Sequence, residues 1–153
     1  MQGGQYLKLF EASQPVEVFT DASDYAVGGL IGQKDSKGVL SPVVFYSRKL
    51  QKAELNYSVT EKELLAIVAI AEAHRPYMTG KEVILRTDHR PLTWLQSQPV
   101  LSGRQVRWVI KLQEVNLKIE YLPRSVQSGC RLSFKKTGPL SKMQCLLCKD
   151  YRV

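Results

Sequence analysis

Between Val16 and Ser47 the chain alternates short apolar-rich runs with polar breaks: "VEVFT" (Val16–Thr20), "DASDY", "AVGGLIGQ" (Ala26–Gln33), "KDSKG" and "VVFYS" (Val43–Ser47). Runs this short, bounded by Asp, Ser and Gly, predict three closely spaced strands in an antiparallel meander. The period then changes. In "SVTEKELLAIVAIAEAHRPYM", residues Leu64, Leu65, Ile67, Val68 and Ala71 recur at helical spacing, and Thr60 with Glu63 predicts a capping box at the helix start. "EVILRT" (Glu82–Thr87) is a strand reached through that helix, so it is expected to run parallel to the first. "PLTWLQ" and "GRQVRWVIKLQE" predict a short and a longer helix, and "LKIEY" (Leu117–Tyr121) a last strand. The expected class is α/β: a five-stranded mixed sheet, three antiparallel strands extended by parallel ones, with "VEVFT" central and helices flanking it.

A chain of 153 residues, 44% hydrophobic and 24% charged, has the size and balance of one globular domain with its own core. Its longest apolar run, "LLAIVAIA" (Leu64–Ala71), falls far short of the roughly 20 residues that cross a bilayer. The start "MQGGQYLKLF" lacks the basic-then-apolar pattern of a signal peptide, so an intracellular setting is expected. The net charge of +8 suggests nucleic acid, but it is unevenly placed. Residues 1–123 hold 15 Lys or Arg against 13 Asp or Glu, whereas residues 124–153 hold 7 against 1. Any argument for nucleic acid must therefore come from the chemistry of the body.

That chemistry begins where carboxylates follow strands. Asp21 succeeds "VEVFT" and Asp88 succeeds "EVILRT", so adjacent parallel strands would deliver both acids to one sheet edge. Paired carboxylates repel unless a cation lies between them. Their oxygens suit Mg²⁺ or Mn²⁺, and two such ions about 4 Å apart can clamp a phosphodiester for in-line hydrolysis. The plainer reading is that each Asp caps a turn.

Six blocks then carry a resemblance: "TDASDYAVGGLIGQ", "PVVFYSRKL", "NYSVTEKELLAIV", "RPYMTG", "RTDHRPLTWL" and "RWVIKLQEVNLKIEYLP". In order and spacing, over residues from about 6 to 123, they resemble the ribonuclease H domain of reverse transcriptases from gypsy-type long-terminal-repeat retroelements. The resemblance implies a ribonuclease H-like fold and hydrolysis of the RNA strand of RNA–DNA hybrids. It also implies two divalent metals, Mg²⁺ or Mn²⁺, held by four carboxylates, and products with a 5′ phosphate and a 3′ hydroxyl. Three of those carboxylates match Asp21, Glu63 and Asp88. Glu63 competes with Glu61, but it aligns with Ile67 and Ile70 on the face expected to meet the sheet. Residues 1–15 resemble the linker leading from the polymerase's connection region, so the partners implied are the hybrid and the polymerase domain of a parent reverse transcriptase. The chain itself is not expected to synthesise DNA, and its expected setting is the cytoplasm or a virus-like particle.

Weaker candidates surround this set. Arg48, Lys49, Asn56 and Tyr57 could contact the hybrid's phosphates, although an exposed loop explains them nearly as well. His89 could be a metal ligand or proton shuttle, but a lone His beside a turn is more often structural. Trp94 and Trp108 read as core, and Cys145 with Cys148 is a single "CLLC" with no second pair.

The chain departs from the family at the fourth carboxylate. The family's final helix carries Asn-x-x-Ala-Asp-x-Leu-Ser-Arg, whereas this chain continues "PRSVQSGCRLSF", with no acid between Pro123 and Cys148. Codons compatible with residues 127–136, read one nucleotide later, spell Asn-x-Asp-Ala-Asp-Cys-Leu-Ser-Arg. Residues 124–153 are therefore expected to be an out-of-frame, basic, disordered tail following a domain at 16–123. The alternative to an enzyme is a catalytically inactive retroelement remnant that binds nucleic acid or a protein partner at most.

Overall fold

The computed structural model describes residues 7–93, 97, 100–122, 132–134 and 143–145. Strands β1 (Val16–Ala22), β2 (Ala26–Lys34) and β3 (Leu40–Lys49) form the antiparallel meander, each longer than its apolar run. Polar residues extend them because ladder hydrogen bonds need no apolar side chain. Helix α1 (Val59–Ala73) and the short α2 (Arg75–Met78) lead to β4 (Glu82–Thr87), which pairs parallel to β1. Next come α3 (Arg90–Thr93), α4 (Gly103–Gln113) and β5 (Asn116–Tyr121), the last parallel to β4. The order β3-β2-β1-β4-β5 puts β1 at the centre of a mixed five-stranded sheet, as the sequence predicts.

Alternation along the strands divides the core. Val16, Val18, Ile31, Val83 and Leu85 join Leu64, Ile67, Val68 and Ile70 of α1 in one buried cluster. Phe19 and Leu30 pair on the opposite face and are also buried, which explains why β2 is apolar almost throughout. Gly29 lets α1 approach: a Cβ there would lie 2.5 Å from Ile70 Cδ1 and 2.9 Å from the Phe19 carbonyl oxygen. Cross-helix ion pairs Arg104–Glu61, Lys111–Glu72 and Arg75–Glu114 join α1 and α2 to α4.

The helix cap is a correction to the sequence reading. Ser58, not Thr60, is the N-cap: its hydroxyl accepts from the Glu61 N–H, and the Glu61 carboxylate accepts from the Ser58 N–H. The helix starts two residues earlier than the Thr60 box requires, because Ser58 supplies the extended backbone that an N-cap needs.

The segment before β1 is stitched to the domain. Buried Gln33 donates to the carbonyls of Glu11 and Gln14 and accepts from the Glu11 N–H, while Phe10 packs edge-on against Tyr77 at 4.9 Å. A domain boundary at residue 16 thus cuts through packed chain. In the tail, Leu132–Phe134 (β6) and Met143–Cys145 (β7) pair antiparallel, and β6 lies against β1 and β2. Residues 123–131, 135–142 and 146–153, with Cys130 and Cys148, lie outside the described residues, as does Trp94.

Candidate active site

Asp21 occupies the second-last position of β1, and Asp88 follows the last residue of β4. The β1–β4 register runs from Val16↔Val83 to Phe19↔Arg86. Continued by two residues, it sets Asp21 beside Asp88 on strands about 4.8 Å apart. Both acids emerge at the carboxyl ends of neighbouring parallel strands, where open α/β sheets bind ligands.

Helix α1 brings the third acid. It returns from the end of β3 to the start of β4, both parallel to β1, so it runs antiparallel to them and its first turn lies over the same strand ends. Two contacts fix that placement: Lys62 Nζ lies 3.6 Å from Asp24 Oδ1 in the β1–β2 turn, and Thr60 Oγ1 shares a 3.0 Å hydrogen bond with His89 Nε2. Ala22, Ser23, Asp24, Tyr25, Val59 and Lys62 line a cleft of about 380 Å³ beside this turn.

The capping correction separates the two glutamates. Glu61 is committed to the cap and to Arg104 at 3.1 Å, whereas Glu63 is buried, one turn before Ile67 on the sheet-facing side. By alternation Asp21 falls on the face of Glu17 and Phe19, opposite to the one that α1 covers. Asp21 and the sheet-facing Glu63 thus approach the strand ends from different layers. Among the described residues, no three His, Cys, Asp or Glu side chains form a group close enough to hold a metal ion. The donor chemistry still suits a hard divalent cation, since three carboxylates arrive at one rim from three elements.

The weaker candidates fare differently. The Arg48 guanidinium is bound by both oxygens of buried Glu54, at 2.7 and 2.9 Å. That bond holds the Glu54 carboxyl below the usual carboxylate range and raises the Arg48 pKa. Arg48 thus anchors the end of β3, a role its place in "SRKL" does not disclose. Tyr57 lies under the Arg104 guanidinium at 4.0 Å and beside Trp108 at 5.9 Å, while Lys49 and Asn56 are exposed. His89 has its pKa lowered by burial, partly offset by Asp88, and is held by Thr60. Sequence reasoning missed Lys62 and Arg104 as residues that set the first turn of α1, and gave Thr60 a capping role in place of its bond to His89. Only the concentration of polar residues at the helix start signals them.

Residues 11–115 match the RNase H-like domain found in reverse transcriptase. The retrovirus-related Pol polyprotein from transposon 297 of Drosophila melanogaster is 37% identical over 76% of this chain, which spans 10% of that polyprotein. A foamy viral protease-reverse transcriptase in complex with double-stranded DNA superposes with a TM-score of 0.63 at 20% identity, over 76% of this chain and 21% of the viral one. LC11-RNase H1 in complex with an RNA/DNA hybrid gives 0.56 at 15% identity, over 72% and 86%. Identities this low speak for the fold alone. With residues 11–115 matched and the sheet order as described, the chain belongs to the family of RNase H-like domains found in reverse transcriptase.

Proposed function

We propose that this domain is a ribonuclease H that hydrolyses the RNA strand of RNA–DNA hybrids with Mg²⁺ or Mn²⁺, as part of a retroelement reverse transcriptase. The observation that supports the reading is the β1–β4 register, which, continued by two residues, sets Asp21 beside Asp88 at the strand ends where α1 begins. Asp21, Glu63 and Asp88 would hold the cations. Divalent ions bound there would lower the pKa of an attacking water and stabilise the leaving 3′ oxygen, giving a 5′ phosphate and a 3′ hydroxyl. Lys49 and Asn56, both exposed, would meet phosphate on this reading. Preference for hybrid over duplex DNA would come from contacts with the 2′ hydroxyls of the RNA strand. Solved relatives of this fold that bind RNA/DNA hybrid support the choice of substrate.

A second reading has its own support: the stretch from Pro123 to Cys148 carries no acid, and the described residues hold no ready three-ligand group. On that reading the domain binds nucleic acid without cutting it. Incubating the chain with a labelled hybrid, with and without Mg²⁺ or Mn²⁺, separates the two. Cation-dependent cleavage of RNA that disappears in Asp21→Asn and Asp88→Asn is expected. Cleavage that survives both substitutions or needs no metal would remove the enzymatic reading, and binding without cleavage would favour the second.

A further inference from the structure

The link between Thr60 and His89 joins the two backbones that carry candidate ligands. Thr60 lies in the first turn of α1, three residues before Glu63, on the neighbouring i, i+3 position. His89 is bonded to Asp88 through the chain. Its backbone N–H donates to the hydroxyl of buried Thr87 at 3.1 Å, which sets the residue relative to β4. Its ring then reaches Thr60 Oγ1 at 3.0 Å. A single side-chain hydrogen bond thus spans from the end of β4, one residue after Asp88, to the helix turn that precedes Glu63.

We propose that Thr60 and His89 are a positioning pair that sets the separation of Glu63 and Asp88 and thereby the domain's affinity for a divalent cation. The inference rests on the ribonuclease H reading. Neither residue is a ligand in it. A hydroxyl–imidazole contact holds two carboxylate-bearing segments together without itself using either carboxylate. Such outer partners orient ligands, and their removal costs about 10- to 100-fold in metal affinity or activity.

Mn²⁺ binding to the full chain, measured by titration calorimetry without nucleic acid, provides a readout independent of turnover. Thr60→Val keeps the shape and removes the hydroxyl, so Mn²⁺ affinity is expected to fall about 10-fold while the melting temperature stays close to that of the unaltered chain. Thr60→Ser, which restores the hydroxyl, is expected to bind as the unaltered chain does. His89→Ala is expected to match Thr60→Val, and the double variant to be no weaker than either single one, because both remove the same contact. Equal Mn²⁺ affinity in Thr60→Val and the unaltered chain, or losses that add in the double variant, would overturn the pair's role and leave the ribonuclease reading standing. An unaltered chain that binds no Mn²⁺ at millimolar concentration would overturn both. Should His89→Ala fail to fold, the Thr60→Val and Thr60→Ser comparison decides alone.

Discussion

Glu61 and Glu63 are two positions apart, and roughly 200° of helical rotation turns them to different neighbours. Glu61 accepts from the Ser58 N–H and pairs with Arg104, so its carboxylate is spent on holding the helix start. Glu63 is buried on the sheet side, where the ribonuclease reading proposed above would use it as a ligand. Glu61→Ala should therefore cost about 1 kcal/mol of stability, as lost caps do, in urea titrations. Glu63→Gln should remove cation-dependent cleavage at a smaller stability cost. The reverse pattern would exchange their roles. Gly29 is the other residue on which the site depends, since any Cβ there collides with Ile70 Cδ1 and the Phe19 carbonyl. Gly29→Ala should destabilise by about 1–3 kcal/mol, the usual cost of overpacking, and a variant as stable as the unaltered chain would show that α1 sits farther from β2.

At the scale of elements, the end of β3 is tied to the 3-10 turn Glu54–Asn56 by Arg48, and this turn leads into α1. The tie makes stability depend on pH with a definite sign. Arg48 lowers the folded-state pKa of Glu54, so the unfolded chain takes up the proton more readily. The contribution is complete above the ordinary Glu value of about 4.3 and is lost as pH falls through the depressed folded one. Urea midpoints measured between neutral and acid pH should fall for the unaltered chain, and less steeply for Glu54→Gln. Identical slopes would show that the pair carries no such linkage. Because Arg48 is committed here, Arg48→Ala should act on stability before it acts on hybrid affinity.

The whole molecule depends on β1, which joins the antiparallel meander to the parallel half and has both faces covered. Asp21 lies on the face opposite α1, the side of Phe19 and Leu30. No acid between Pro123 and Cys148 is available from the tail to complete the ligand set there. Low turnover is the expected result. Replacing residues 127–136 with Asn-x-Asp-Ala-Asp-Cys-Leu-Ser-Arg, the shifted-frame peptide, should raise the cation-dependent rate of hybrid cleavage. An unchanged rate would separate that peptide from the site. The nucleotide sequence tests its origin: a shifted frame that does not spell Ala-Asp-x-Leu-Ser-Arg would end the frameshift explanation, as would a well-packed tail docked on the sheet.

The order of strands and helices was legible in the sequence because hydrophobic period is a local property: two for "VEVFT", 3.6 for "ELLAIVAI". The placement of Asp21 and Asp88 at strand ends was legible for the same reason. Tertiary structure decided the rest. Whether Ser58 or Thr60 caps α1 depends on where the chain leaves its extended conformation after the 3-10 turn, whose first residue, Glu54, is held by Arg48. Arg48 and Glu54 lie only six residues apart, yet their pairing needs the β3 edge to be in place. The partnership of Thr60 with His89, across 29 residues, exists only because Gly29 lets the helix settle onto β1 and β2. A linear pattern records which residues can be buried. It does not record which segments meet, because register and helix docking arise from packing between residues far apart in the chain.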